Sequence, residues 1–403
     1  MPKTNLPRVP GPVASTAALN RRKFVSFATV GIGGLLAVPS IVRSAHAATV
    51  VKFGQIESLT GLSSSFGLRA RDGAKMAVEA INAAGGFQDT KGNTYTIDLH
   101  ADDMADDARQ TITLYRQQAL DASIRVTIGP ANSVGFVPLV PIAGQLRLMV
   151  VGEAGAPVKH WTPWGFRVSL TSNTATPVLL TAVVNKEHVK RLAILYDQTQ
   201  DGQASDAEVC RQTKGKLGYD IVADQAFSTG NQDFSPQIAS IKNAKPDAIF
   251  VATTTSDGVK VVPQIRAVGL DVPLINGFGG FADPLYWNGT NGAIKGSYTW
   301  LAQNLAAPEG DLRKWVDEYN NKFQLKASSF STYGFDAIMS VVECIKRGGS
   351  IERDKIREVM SSLDYHSPIG THVNFKNPPT GENLTPTVTV VQVTGLGTYL
   401  AVK

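Results

Sequence analysis

Apolar residues follow two alternating patterns from residue 50 onward. Short continuous runs, such as "TVVKFGQI" and "RLAILYD", are typical of buried strands. Between them lie longer stretches in which apolar residues recur every three or four positions, as near 66–84, where two glycines end the pattern. These stretches predict amphipathic helices. Strands that alternate with helices predict parallel sheets covered by helices on both faces.

The alternation occurs in two series of similar period. The first contains "TVVKFGQI", "YTIDLHA", "IRVTIG" and "LRLMVV"; the second, after "WGFRVSLTSN", contains "RLAILYD", "YDIVADQAF", "PDAIFVAT" and "VPLING". A chain of 403 residues is too long for one ordinary core. We therefore predict an α/β protein with two doubly wound parallel-sheet lobes. Long helical patterns within 309–362 and strand-like alternation near the end predict that the chain crosses between the lobes more than once.

The first 47 residues have the three parts of an export signal. Arg21 and Arg22 form a basic pair, "FVSFATVGIGGLLAV" is apolar, and "SAHA" has the small-x-small pattern of a cleavage site. We expect cleavage after Ala47, and the paired arginines resemble the twin-arginine type of signal. The apolar segment is shorter than the roughly 20 residues that span a bilayer, which argues against a retained anchor.

The net charge depends on this segment. The whole chain has 39 basic and 34 acidic residues, and six of the basic ones but none of the acidic ones lie in residues 1–47. The remaining chain is therefore close to neutral. A nucleic-acid partner is not expected, because phosphate binding needs a surplus of clustered Lys and Arg.

The segments that follow the predicted strands are small, polar and rich in glycine. They are "ESLTGLSSSFG", "ADDMADD", "GPANSVG", "GEAGAP", "YDQTQDGQ", "ATTTSDG" and "NGFGGFADP". Open doubly wound sheets bind ligands beyond the carboxyl ends of their strands. The composition of these segments indicates a cleft that encloses a small solute with backbone groups and hydroxyls.

Motifs for catalysis or metal binding are missing from the sequence. The six histidines are scattered, and there is no nucleophile elbow, P-loop or dinucleotide-binding glycine pattern. We predict a protein that is not an enzyme and has no cofactor or metal ion. Cys210 and Cys344 lie on separate predicted helices and are expected to be buried free thiols; a disulfide between lobes would resist their motion.

Two other features have alternative interpretations. The acidic string Asp102, Asp103, Asp106 and Asp107 could suggest Ca²⁺, but it lacks the ligand pattern of a calcium loop, and we expect helix capping instead. Trp161 and Trp164 could stack on a ligand, although packing beside the connection between the lobes is the favoured interpretation.

Several segments, taken in order, resemble the periplasmic solute-binding proteins of the leucine/isoleucine/valine type, which serve ABC importers. They are "SLTGLSSSFGLRARDGAKMAVEAINAAGGF", "ADD", "IGPANS", "FRVSLTSN" and "STYGFDAI". The resemblance extends from about residue 50 to the end of the chain. It implies the type I periplasmic binding fold, in which a three-stranded hinge joins two lobes that close on a ligand. The hinge is implied near Val168–Thr171, Tyr298–Trp300 and Thr371–Phe375.

The resemblance also implies a first wall of the ligand site. It places Phe66 against the ligand, and Ser133 where a hydroxyl and an N–H hold the ligand carboxylate. Glu153, Ala154 and Gly155 match the loop that completes the carboxylate site. Phe66 could instead only fasten its helix to the sheet, and Ser133 could only be an N-cap.

In the second lobe, the resemblance implies a wall that departs from the amino-acid-binding pattern. Asp201 stands where amino-acid binders often carry an aromatic residue, and Thr254 falls at a contact position. Phe278 or Gly279 falls where a glutamate grips the ligand ammonium, and Gly155 lacks the usual hydroxyl of its loop.

A buried ammonium needs a charged or multiply hydrogen-bonded partner. Asp201, Glu153 or Asp283 could supply it; Glu153 and Asp201 could equally be solvated loop carboxylates. If none points inward, an aromatic or aliphatic carboxylate is the better ligand, and Phe66, Phe278 and Phe281 would suit a ring.

The resemblance predicts a monomeric periplasmic protein that captures a small carboxylate-bearing solute, either an amino acid or an aromatic or aliphatic acid. It would deliver this solute to the permease and ATPase of an ABC importer; the alternative is a ligand-binding component of a signalling system. The predicted lobes comprise residues 48–170 with 300–373, and residues 171–299 with 374–403.

Overall fold

The computed structural model describes residues 48–277, 280–376, 380–385 and 387–402. The predicted export signal therefore lies outside the described residues, as do Phe278 and Gly279. Within these described ranges, no helix combines the length and the apolar character needed to cross a bilayer.

The first sheet has six strands in the spatial order β2-β3-β1-β4-β5-β6. The strands are β1 (Thr49–Glu57), β2 (Phe87–Gln88), β3 (Thr94–Asp103), β4 (Ile124–Ile128), β5 (Met149–Gly152) and β6 (Gly165–Arg167). All neighbours pair in parallel except the short edge strand β2, which is antiparallel to β3. The strand order reverses between β1 and β4, which makes this the switch point where doubly wound sheets bind ligands.

The second sheet has seven strands in the order β15-β14-β11-β10-β9-β7-β8. The strands are β7 (Arg191–Asp197), β8 (Asp220–Phe227), β9 (Ala248–Ala252), β10 (Leu274–Ile275), β11 (Tyr298–Ala302), β14 (Val388–Gly395) and β15 (Thr398–Ala401). The five parallel strands repeat the order of the first sheet, with the switch point between β7 and β9. A separate hairpin is formed by β12 (Asp364–His366) and β13 (His372–Asn374).

Helices pack against both sheets. The first lobe is the first sheet together with α1 (Ser64–Ala83), α2 (Ala108–Leu120), α3 (Ser133–Leu146), α9 (Gly310–Phe323), α10 (Ser329–Gly348) and α11 (Arg353–Met360). The second lobe is the second sheet together with α4 (Ser172–Glu187), α5 (Asp201–Leu217), α6 (Ser235–Ala244), α7 (Thr255–Ala267), α8 (Pro284–Gly289) and the 3₁₀ turn Gly280–Ala282. This confirms the predicted α/β fold with two doubly wound lobes.

The chain passes between the lobes three times: between Arg167 and Ser172, between Ala302 and Gly310, and between Asn374 and Val388. The first passage coincides with the range Val168–Thr171. Tyr298–Trp300 lies inside β11, and Thr371–Phe375 contains β13, so at these two places the chain leaves its lobe later than the sequence indicated. That these passages act as a hinge, and the predicted residue bounds of the lobes, stay predictions.

Burial follows the apolar pattern. The second half of β1, residues 53–57, and all of β5 and β9 are buried, as expected for strands covered by helices on both faces. Cys210 in α5 and Cys344 in α10 are both buried free thiols, which confirms the prediction made for them.

Candidate functional site

The polar loop between β1 and α1 is held by two carboxylates of the acidic string. Asp103 accepts hydrogen bonds from the backbone N–H of Leu59 at 2.9 Å and from the Thr60 hydroxyl at 2.6 Å. Asp106 accepts from the N–H of Ser63 at 2.7 Å and from the Ser58 hydroxyl at 2.5 Å. The hydroxyls of this loop therefore serve partly to fix its shape.

Asp106 also extends this network to the next strand end. Asn132 donates to Asp106 at 2.7 Å and to the Ser58 hydroxyl at 2.7 Å. Asp107 caps α2 by accepting from the N–H groups of Arg109 and Gln110. The capping interpretation is thus confirmed at Asp107, whereas Asp103 and Asp106 position the loops that follow β1 and β4.

These loops form one side of a cavity between the lobes. The first lobe contributes Ser63, Phe66, Ala131, Asn132, Ser133 and Phe330, and the second lobe contributes Gln200, Gly202, Gln203 and Thr254. Most of these residues follow β1, β4, β7 or β9, so the cavity lies at the switch points of both sheets. Its volume is about 20 Å³, room for about one water molecule.

Two phenyl rings form the apolar part of the cavity. Phe66 stacks on Phe330 with ring centroids 4.5 Å apart and an angle of 18° between the rings. Phe66 therefore both lines the cavity and packs within its own lobe. Sequence reasoning did not single out Phe330, the second residue of the long helix α10. The available signal was an aromatic residue in the first turn of that helix.

Ser133 is the first residue of α3, and the N-cap is its neighbour Asn132. The Asn132 side chain accepts from the N–H of Gly135 at 3.0 Å, which makes a capping role for Ser133 unnecessary. The Ser133 hydroxyl accepts from the N–H of Ala156 at 3.1 Å. The first N–H groups of a helix have no partner inside it, so those of Ser133 and Val134 face the region beyond the helix start.

The loop after β5 is fastened through its carbonyl groups. Arg167 Nη1 donates to the carbonyl oxygens of Ala154 at 3.1 Å and of Ala156 at 2.5 Å, and the N–H of Ser172 donates to that of Gly155 at 3.0 Å. Within the described part of the chain, the N–H groups of Ala154 and Gly155 have no protein acceptor. This leaves donors on a rigid loop, which can bind an anion.

Arg167 is a residue that the sequence reasoning missed. Its side chain is fully buried, pairs with Glu382, and lies over the rings of Phe136 and Trp161. Trp161 and Trp164 do not line the small cavity; the latter packs against Arg147 and Arg357. Trp161 thus packs beside Arg167, which precedes the first passage between the lobes, whereas Trp164 packs elsewhere in the first lobe.

None of the three candidate ammonium partners lines the small cavity. Asp283 pairs with Arg69 at 3.1 Å, and both side chains are buried. Asp201 is exposed and lines a neighbouring groove with Ala204, Ser205 and Glu208. Glu153 is buried inside the first lobe, so the structure brings neither its carboxylate nor that of Asp201 together with Phe66, Ser133 and Thr254.

Glu153 belongs to a carboxyl cluster with Glu57 and Asp336. Both Glu153 oxygens and one oxygen of each partner have no hydrogen-bond partner among the described residues. Glu57 accepts from the N–H of Ala131 at 2.9 Å, and Asp336 accepts from the Thr371 hydroxyl at 2.5 Å. Burial raises the pKa of Glu57 to about 8 and that of Asp336 to about 7. Burial, and then the charges of both partners, raises the pKa of Glu153 well above its usual range.

The comparison with known families agrees with this geometry. The model of the "Periplasmic binding protein" family matches residues 50–397, which is most of the chain. The chain belongs to the periplasmic binding protein family. Members of this family are substrate-binding proteins, and the two-lobed fold with a cavity between the lobes is the architecture that such binding needs.

Relatives of this periplasmic binding protein bind different acids. The "Leucine-, isoleucine-, valine-, threonine-, and alanine-binding protein" of Pseudomonas aeruginosa is 23% identical over 83% of this chain and 88% of its own length. The isoleucine complex of the branched-chain amino acid transporter substrate-binding protein LivJ from Streptococcus pneumoniae has a TM-score of 0.76 at 20% identity and covers 88% of this chain and 100% of its own.

A third similar protein is an ABC transporter solute-binding protein from Rhodopseudomonas palustris, solved in complex with 3,4-dihydroxybenzoic acid. It has a TM-score of 0.75 at 22% identity and covers 87% of this chain and 95% of its own. At this level of identity the solved structures show the fold of this periplasmic binding protein, and its ligand has to be argued from its own residues.

Proposed function

We propose that this protein is an exported substrate-binding protein of an ABC importer, and that it captures a small carboxylic acid between its two lobes. The convergence of strand-end loops from both sheets on one cavity is the observation that supports this proposal most strongly. A cavity of about 20 Å³ is far smaller than ordinary ligand pockets, so the lobes have to separate before a solute enters. Contacts of the solute to both lobes then favour the closed form.

The carboxylate site of this proposal lies in the first lobe. The N-terminus of α3, the Ser133 hydroxyl and the N–H groups of Ala154 and Gly155 are the donors, with the helix dipole and the buried Arg167 as sources of positive potential. Phe66 and Phe330 provide an apolar surface for a ring or an alkyl chain.

We further propose that the solute has no ammonium group. Among the described residues that line the cavity, none carries a charge. Asp283 is already paired with Arg69, and Glu153 and Asp201 lie elsewhere. A zwitterionic amino acid would leave its ammonium buried without a carboxylate, which costs several kcal/mol.

A thermal-shift comparison of matched acids tests the ligand class. We expect 4-hydroxybenzoate, 3-phenylpropionate or 4-methyl-2-oxopentanoate to raise the melting temperature of the mature protein, whereas phenylalanine and leucine leave it unchanged. A ligand at 100 times its Kd stabilises the folded state by about 2.7 kcal/mol. A shift with leucine but not with its oxo acid would show that an ammonium is recognised, and no shift with any carboxylic acid would contradict the proposed function.

Substitution of Ser133 tests the location of the carboxylate site. We expect Ser133→Ala to weaken the affinity for the acid identified in that screen about tenfold, because it removes the hydroxyl that Ala156 orients. Ser235→Ala is the matched control, since Ser235 is exposed at the start of α6 and does not line the cavity. Calorimetric titration measures both; equal affinity of Ser133→Ala and the unaltered protein would remove Ser133 from the site.

A further inference from the structure

A buried ion pair joins the two lobes beside the cavity. Arg69 Nη2 lies 3.1 Å from Asp283 Oδ1, and the two side chains are 4% and 5% exposed. Arg69 is on α1 of the first lobe, one turn after Phe66 of the cavity. Asp283 precedes α8 of the second lobe and accepts from Thr255, the neighbour of cavity residue Thr254. Separation of the lobes therefore breaks this pair.

Each partner is held in place by its own lobe. Arg69 Nη1 donates to the carbonyl oxygen of Lys326 at 2.8 Å, between α9 and α10. Asp283 accepts from the N–H of Leu285 at 2.9 Å and from the Thr255 hydroxyl at 3.2 Å. These contacts do not depend on closure, so the two charged groups are already oriented when the lobes meet. Little side-chain entropy is then lost when the pair forms.

The free energy of such a pair depends strongly on whether both partners are present. Removing two charges from water is costly, and their attraction repays the cost only in a specific geometry. A closed form with one partner missing carries an unpaired buried charge, whereas in the open form water solvates it. Every closed arrangement in which Arg69 and Asp283 do not contact each other therefore has a higher free energy than the one in which they pair.

We propose that Arg69 and Asp283 form a closure latch, a pair of positioning residues that selects the lobe arrangement in which the solute is enclosed and does not contact the solute. This inference rests on the proposed capture between two lobes. It explains why an acidic residue next to the cavity is not available to a ligand: its carboxylate is occupied by the other lobe.

Cross-linking without any solute tests the latch. The Ser256 hydroxyl of the second lobe lies 3.3 Å from the carbonyl oxygen of Leu62 in the first lobe. In a Leu62→Cys/Ser256→Cys background, a short thiol cross-linker such as dibromobimane reacts across the cleft only when the lobes are closed. Cys210 and Cys344 are fully buried and do not compete. The rate of cross-linking therefore reports the closed population.

We expect Asp283→Asn or Arg69→Met alone to slow cross-linking at least about tenfold, because each leaves one buried charge unpaired. Combining the two substitutions should restore the rate to within about threefold of the background protein, since no charge is then unpaired. Arg211→Met, which breaks a partly exposed pair with Asp224 inside the second lobe, is the control and should leave the rate unchanged.

Cross-linking of both single variants at the background rate would overturn the latch, as would a double variant as slow as the single ones. If a single variant does not fold, Arg69→Gln carries the test, because its neutral amide can still donate to the Lys326 carbonyl but leaves the Asp283 charge unpaired; a rate equal to the background would contradict the proposal. Because no solute is added, a negative ligand screen would reject the proposed function and leave this result standing.

Discussion

Glu153→Gln should make the protein more stable than the unaltered chain at pH 9 and should flatten the dependence of its stability on pH. Glu153, Glu57 and Asp336 are buried together, and burial raises the pKa of each carboxyl group. In the unfolded chain the same groups titrate near pH 4. The folded protein therefore binds more protons than the unfolded chain between about pH 4 and pH 8.

The sign of the effect follows from this difference. The stability that these protonated carboxyl groups contribute is fully present below their pKa values in the unfolded chain, and it is lost as the pH rises through their pKa values in the folded protein. Each group that keeps its proton lowers the free energy of unfolding by about 1.4 kcal/mol per pH unit. Glutamine removes the titration and keeps a neutral polar side chain of the same shape. We expect a higher free energy of unfolding at pH 9 and little change at pH 5.

Scanning calorimetry of both proteins from pH 5 to pH 9 measures this difference. Glu318→Gln, at an exposed position of α9, is the matched control and should give parallel curves. If Glu153→Gln destabilised the protein equally at every pH, Glu153 would be ionised and paired in the folded state. That result would contradict a protonated carboxyl group at this position.

Arg167→Met is expected to destabilise the protein by about 3–5 kcal/mol. The guanidinium is fully buried, and it holds two carbonyl oxygens of the loop after β5, pairs with Glu382, and lies over two aromatic rings. Its removal leaves polar groups of that loop without partners, and these groups lie next to the proposed carboxylate donors. Affinity for a carboxylic acid should therefore fall along with stability.

Arg167→Lys separates the charge from the geometry. Lysine keeps the positive charge but cannot span the carbonyl oxygens of Ala154 and Ala156 with a planar fork, so its stability should be intermediate. Urea denaturation gives the stabilities, and Arg211→Met, at a partly exposed ion pair, should cost less than about 1 kcal/mol. If Arg167→Met lowered the free energy of unfolding no more than Arg211→Met does, Arg167 would not be the residue that orders the loop after β5.

The elements of the fold were predicted well where apolar periodicity was strong. The run "RLAILYD" coincides with β7, and the helix near 203–217 corresponds to α5, Asp201–Leu217. The run "LRLMVV" was predicted less well, because α3 continues to Leu146 and β5 begins only at Met149. A short apolar run next to a helix has no period of its own that could mark the boundary. The hairpin of β12 and β13 was not predicted, and α11 was covered only by the general helical region 309–362.

The residues of the site could be predicted from the sequence better than the directions of their side chains. The resemblance to the leucine/isoleucine/valine-type binding proteins implied Phe66, Ser133 and Thr254 as ligand contacts, and the structure brings them together in one cavity. The directions of Glu153, Asp201 and Asp283 could not be read from the sequence, since each follows a strand in the same way. Phe278 and Gly279 lie outside the described residues, so their contact with a ligand stays a prediction.

The sequence by itself determined the alternation of strands and helices, the two repeated lobes and the polar loops at the strand ends, because these depend on periodicity and composition within short stretches. Only the tertiary structure decided which charges meet. Arg69 and Asp283, and likewise Arg167 and Glu382, are more than 200 positions apart, and nothing local couples them. Burial, which sets the cost of an unpaired charge, is a property of the whole fold.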